Sequence, residues 1–273
     1  MSRNRVFLIT MALVGFLGMA AASPAFAVHK GVAFVEPSAR KALKIVNDYM
    51  RDADSFTFTM QTVKDELVGD THQMIQYAGV HDVAVRRPDK LKVRSYGDLG
   101  EIRLWYDGSR MTVLDILDYN VEPDEVLGDN MTYTWVEAPD TIDAALDYVD
   151  KNFGFAPPMI SLVKTNPLEI INEMATSGFY VGLNHVRGVR CHHLAYTTEF
   201  VDVQLWIDNG LTPLIRKIVI TYKEEPGSPQ FTAYFTDWDF SPHLPDSVFK
   251  FLKPKSALLV PAKKINAEGE GEK

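Results

Sequence analysis

The sequence has 273 residues and a formal net charge of −8, with 46% hydrophobic and 23% charged residues, 17 glycines and 15 prolines. These proportions exclude collagen-like, coiled-coil and disordered classes. The acidic balance argues against a nucleic-acid partner, because phosphate binding needs a basic footprint. The single cysteine, Cys191, excludes an intrachain disulfide and a multi-cysteine metal site.

The chain begins as an export signal. Arg3 and Arg5 precede an uncharged, mostly apolar stretch from Val6 to Ala22, and Ser23–Ala27 reads SPAFA, with Ala25 and Ala27 at the small-residue positions of a cleavage site. This layout predicts a signal peptide over 1–27, cut after Ala27, and a periplasmic destination. Later stretches are too short in apolar residues for a membrane span.

Glu36-Pro37-Ser38 opens a first helix, with proline placed early where its missing N–H costs little. Leu43, Val46, Tyr49, Met50 and Ala53 form its apolar face. From Ser55 the period drops to two: Phe56, Phe58 and Met60 alternate with Thr57, Thr59 and Gln61, which reads as a strand. Strands follow at Gln73–Arg87, Lys90–Tyr96 and Arg103–Leu114, the last folded back at a two-residue Asp107-Gly108 hairpin turn. Met131–Val136 is another. Asp140 or Thr141 then caps a helix with Ile142, Ala145, Leu146 and Val149 on one face. After Pro157-Pro158 come two short helices, Met159–Val163 and Pro167–Met174. Strands resume at Gly178–His185, Val189–Thr197, Val201–Asp208, Leu214–Tyr222 and Phe231–Phe240, and a charged, Gly-rich tail covers 263–273. Tight turns between strands make antiparallel meanders. The expected fold is therefore α+β: a single domain over 28–262 with a large, strongly curved antiparallel sheet and helices packed on it.

Catalytic signatures are sparse. There is no G-x-S-x-G elbow, Walker A loop, G-x-G-x-x-G or H-E-x-x-H, and no motif calls for a cofactor or metal. His192 and His193 are adjacent in a strand and so face opposite ways; His185 could approach one of them across the Gly188 turn. Cys191 with His192, His193 or His185 is a conceivable nucleophile pair for a hydrolase, though a free cysteine is most often buried. Asp237 and Asp239 sit at i, i+2 and would share a strand face, either a solvated edge or two carboxylates paired for acid–base work. Five cationic side chains crowd into 86–94. Lys90, Lys92 and Arg94 lie on one strand face, either solvated or a docking strip for an acidic partner or lipid headgroup.

The run RRPDKLKVRSYGD…IRLWYDGSRMTVLD (86–115) resembles the bacterial lipoprotein carrier family of LolA, LolB and LppX, in its R-P dipeptide, basic/apolar strand and D-G hairpin. The Phe-rich stretch 244–251 with Pro254 is similar to that group's C-terminal motif. Along about Pro37 to Pro254 the chain resembles domain-of-unknown-function family 2092, predicted periplasmic proteins of the same superfamily. The matching stretches are RRPDKL, WYDG, APDTIDAALD (138–147), YVGLNHVRGVRCHHLAY (180–196), QLWID (204–208) and PLIRKIVITYK (213–223). The resemblance implies an incomplete β-barrel whose helices lie over a concave apolar face, a cavity for acyl chains, and an arginine that holds the lid closed. Arg87 matches that arginine, with Arg86 beside it. The Gly178–Thr197 block and the acidic insertion Tyr119–Asn130 depart from LolA.

A curved sheet has a concave face that side chains, a helix or a ligand must fill. Candidate positions are Phe56, Phe58, Met60, Leu91, Val93, Leu104, Tyr106, Met111, Val113, Leu205 and Ile207. Periodicity fixes which of them share a face, not which face is concave. The expected function is a non-enzymatic periplasmic binding or carrier protein for acyl chains, lipids or lipid-modified proteins. The alternatives are an envelope protein-interaction or stress-sensing module with a protein partner, and a Cys/His hydrolase.

Overall fold

The computed structural model describes residues 34–69, 73–116 and 131–265. The predicted signal peptide, the acidic insertion and all but the start of the charged tail lie outside the described residues. In chain order the elements are β1 (Phe34–Val35), α1 (Pro37–Arg51), β2 (Ser55–Val68), β3 (Gln73–Arg86), β4 (Lys90–Gly97), β5 (Gly100–Tyr106), β6 (Arg110–Ile116) and β7 (Met131–Glu137). Then come α2 (Ile142–Phe153), a 3-10 turn (Ile160–Val163) and α3 (Glu169–Met174). The second half holds β8 (Ser177–Val186), β9 (Val189–Thr197), β10 (Val201–Asp208), β11 (Ile215–Tyr222), β12 (Gln230–Asp239), a second 3-10 turn (Asp246–Phe249) and β13 (Leu258–Leu259).

All thirteen strands belong to one open sheet, ordered β1-β8-β9-β10-β11-β12-β2-β3-β4-β5-β6-β7-β13. Two antiparallel meanders, β2 to β7 and β8 to β12, join where β12 pairs with β2. Only the two-residue margins are parallel: β1 on β8 and β13 on β7. The sheet curls without closing, because side chains from β2–β6 and from β9–β12 enter one core with α1 and α2.

Local chemistry explains the joints. Pro37 opens α1, which buries Ala39, Leu43, Val46 and Met50; Tyr49 is half-buried and Ala53 lies past the helix end. Thr141, not Asp140, caps α2 by accepting from Ala144 N at 3.2 Å, and Gly154 ends it in the left-handed region at φ 65°. In the β5–β6 hairpin, Asp107 N donates to Arg110 O, so the two central residues are Gly108 and Ser109, one position later than expected. The shift follows from Asp107 Oδ1, which accepts from the backbone N–H of both Ser109 and Arg110.

The outer face of the sheet carries a strap that period-2 reasoning did not reveal. After β12 the chain crosses the outside to β7. Arg86 Nη1 donates to Leu244 O at 2.7 Å, Nη2 pairs with Asp246, and the guanidinium lies 5.4 Å from the Phe249 ring centroid. Trp105 and Tyr133 both pack on Phe251. Thr112 and Leu114, on the outward side of β6, are buried as a result. Among the described residues no helix is long and apolar enough to cross a membrane.

Candidate functional site

The concave face is apolar, and helices cover it. Phe56, Phe58, Met60, Leu91, Leu104, Tyr106, Met111, Leu205 and Ile207 are all buried in one core, with Val93 and Val113 packed against it. Strand registers place them on a shared face: Phe58 stands opposite Val83, Val83 opposite Val93, Val93 opposite Leu104 and Leu104 opposite Val113. Above this face lie α1, α2 through Ile142, Ala145, Leu146 and Val149, and the first 3-10 turn through Leu162 and Val163. The covering is therefore by the chain's own helices.

An aromatic cluster not anticipated from periodicity completes the surface. Phe58 and Trp238 rings lie 4.6 Å apart, Trp238 and Phe240 stack at 5.6 Å, and Tyr49 of α1 meets Phe240 edge-on at 4.9 Å. Strict alternation would set Trp238 opposite to Phe235. The register slips between Thr236 and Asp239, with Asp237 at φ 54°, and this bulge returns Trp238 to the inner side. Asp237 and Asp239 lie at the same bulge. Both are exposed; Asp237 accepts from Thr236 Oγ1 and Asp239 from Ser241 N.

Arg87 fastens the cover. Its Nη1 donates to Met50 O at 3.0 Å and Ala53 O at 2.6 Å, where α1 ends, and its Nη2 donates to Lys164 O at 2.7 Å, just past the 3-10 turn. The guanidinium sits 5.1 Å from the Phe56 ring centroid. Its backbone N donates to Asp54 O, and Pro88 O accepts from Ile142 N, the first N–H of α2. One turn of the β3–β4 hairpin thus holds three pieces of the cover. Burial pushes the Arg87 pKa down, opposed by the charges of Asp143 and Asp54; a guanidinium stays charged regardless. Nε is buried without a hydrogen-bond partner among the described residues. The cover is also tied to itself: Asn47 Oδ1 accepts from Leu168 N at 3.0 Å, Asp143 from Thr165 N at 3.0 Å, and Lys164 pairs with Asp147 at 2.5 Å. A cavity of about 160 Å³ remains between Arg87, Pro88, Thr141, Ile142, Asp143 and Thr165. That is below the roughly 300–1,000 Å³ of small-molecule sites.

The basic strip is largely neutralised from within. Lys90 Nζ bonds Asp89 and Asp107 O, each at 2.7 Å, and Arg94 bonds Glu101 at 2.7 Å, with Arg103 on the same carboxylate. Those hydrogen bonds, Arg94 first, hold the Glu101 pKa below the usual carboxylate range. Lys92 alone of the three makes no ion pair among the described residues.

The cysteine–histidine pair does not assemble. Cys191 is fully buried, its Sγ donates to Val189 O, and desolvation pushes the thiol pKa up. His192 Nδ1 meets Tyr180 Oη at 2.9 Å on one face; His193 on the other stacks on Trp206 at 4.1 Å and meets Gln204 at 3.1 Å. His185 is exposed. Among the described residues no group of three or more metal-ligating side chains comes together.

The model of the family described as predicted periplasmic protein (DUF2092) matches residues 39–262. No curated protein matches the chain. Among solved structures, the chain is similar to LprF from Mycobacterium bovis, with TM-score 0.45, 10% identity and coverage of 77% of this chain and 97% of that one. It is similar to the lipoprotein LppX of Mycobacterium tuberculosis, with TM-score 0.43, 12% identity and coverage of 76% and 98%. A LolA superfamily protein from Nitrosomonas europaea gives TM-score 0.28, 9% identity and coverage of 78% and 97%. At these scores the likenesses carry no functional argument.

Proposed function

The chain belongs to the family of predicted periplasmic proteins DUF2092, and from that premise we propose that it is a non-enzymatic periplasmic carrier of acyl chains, whether on lipids or on lipid-modified proteins. The observation that carries this reading is the fastening of the cover. Two of its pieces, the end of α1 and the segment after the 3-10 turn, converge on the Arg87 side chain at the rim of an apolar face, and the neighbouring Pro88 carbonyl holds the third, α2. Helices that served only as a permanent core would need no such shared polar tie.

Cover and cargo compete for the same surface. An acyl chain entering beneath α1 and α2 replaces contacts that their apolar faces make, and gains about 0.8 kcal/mol per buried CH₂ before ordering costs. Arg87 opposes the exchange, since hydrogen bonds from a charged group contribute about 1.5–3 kcal/mol each. A small cleft lies beside Arg87. The lid role of Arg87 and the cargo role of the concave side chains are parts of this one proposal.

Titration with a fluorescent fatty acid tests it. Arg87→Ala favours the open form, and apparent affinity rises with the fraction of open molecules; the variant is expected to bind at least about tenfold more tightly than the parent. Failure of both proteins to take up the probe would end the carrier reading.

A further inference from the structure

The sheet margin at β8 is guarded at its start by β1, Glu36 and a bulge, and beyond them carries no charged side chain. β1 pairs only with Ser177 and Gly178, and Glu36 Oε2 accepts from Tyr180 N at 3.1 Å. From Val181 to Val186 the strand has β9 on one side and, among the described residues, no strand on the other. Edge strands are normally guarded by charged side chains, yet β8 reads SGFYVGLNHV, without Lys, Arg, Asp or Glu. Phe179, Val181 and Leu183 are 49%, 44% and 40% exposed. A bulge between Tyr180 and Gly182 bends the first half of the strand and leaves Gly182–Val186 in regular pairing with β9.

We propose that this edge pairs antiparallel with the same edge of a second copy, with the two-fold axis at Leu183. The register is bounded on both sides. Shifted toward the strand's start, the second copy would meet β1 and the Glu36 carboxylate; shifted toward its end, it would run into the Arg187-Gly188 turn. With Leu183 opposite Leu183, Gly182 faces Asn184 and Val181 faces His185, so each copy supplies and receives the same contacts. Antiparallel pairing also sets the start of one strand beside the end of the other. Glu36, at the start, comes opposite Arg187 of the second copy, with Arg190 one strand further in. Arg187 is exposed and makes no ion pair among the described residues; its guanidinium meets Gln61 and the Tyr234 ring. A chain of net charge −8 would thus meet its copy across a neutral strand flanked by opposite charges.

Sedimentation of the mature protein over a concentration series tests the pairing, independently of acyl binding. The parent is expected to show twice the chain mass and to dissociate on dilution. Leu183→Lys sets two ammonium groups across the axis and is expected to weaken the dimer at least about tenfold with an unchanged melting temperature. Arg187→Glu, which turns the flanking pair repulsive, is expected to act in the same direction and covers the case in which the lysine variant fails to fold. Single-chain mass for the parent throughout the series, or a dimer equally tight in the folded variants, would overturn the proposal.

Discussion

Arg86 and Arg87 are neighbours that act on opposite sides of the sheet. Adjacent strand residues point to opposite faces; here Arg86 grips the outer strap at Leu244, Asp246 and Phe249, and Arg87 grips the inner cover. The sequence marks both positions as cationic, but the carbonyls they hold belong to residues 34 to 158 positions away and leave no local signal. His81 is a half-buried polar residue with a measurable consequence. Its Nδ1 meets Ser95 Oγ at 2.7 Å and its Nε2 meets Thr62 Oγ1 at 2.9 Å, and burial lowers its pKa to about 4 despite the opposing charge of Asp82. The folded state therefore binds this proton later than the unfolded chain. The contribution is fully present above pH about 6.5 and is lost as pH falls toward 4, by roughly 3 kcal/mol at most. Urea midpoints for His81→Gln are expected to fall less steeply than the parent's over that window; parallel curves would contradict this. Cys191, buried with a raised pKa, is expected to resist thiol reagents until the protein unfolds. Rapid labelling of native protein would show the burial to be wrong.

At the scale of elements, amphipathic periodicity located α1, α2 and the long strands to within a few residues, because each buries one face. It failed where backbone irregularity overrides alternation. The bulge around Asp237 moved Trp238 to the inner face, and the two-residue strands β1 and β13 are too short to carry any period. The α2 cap is a clean test of local chemistry. Thr141→Ala removes the acceptor for Ala144 N and is expected to cost about 1 kcal/mol in a denaturant titration. No loss would mean that the cover, not the cap, fixes the helix end. Gly178 tests packing at the sheet margin. A Cβ there would lie 2.6 Å from the Tyr196 ring and 3.2 Å from Val35, so Gly178→Ala is expected to destabilise by about 1–3 kcal/mol.

For the molecule as a whole, the open curved sheet with helices on its concave side was legible in the sequence, and so was the family, whose model spans 39–262. Alternation identified the inner set from Phe56 to Ile207, since one contiguous core demands one shared face. What alternation cannot state is occupancy. The same apolar side chains serve equally as core beneath helices or as walls around a cargo. Trp238 lies among these side chains, against Phe58 and Phe240, and reports on anything that enters. The most direct measurement is quenching of its fluorescence by a bromine-labelled fatty acid, in the parent and in Trp238→Phe. Saturable quenching in the parent that is lost in Trp238→Phe is the predicted result. Unquenched parent protein, or quenching that survives the substitution, would contradict an acyl chain lodged beneath the cover.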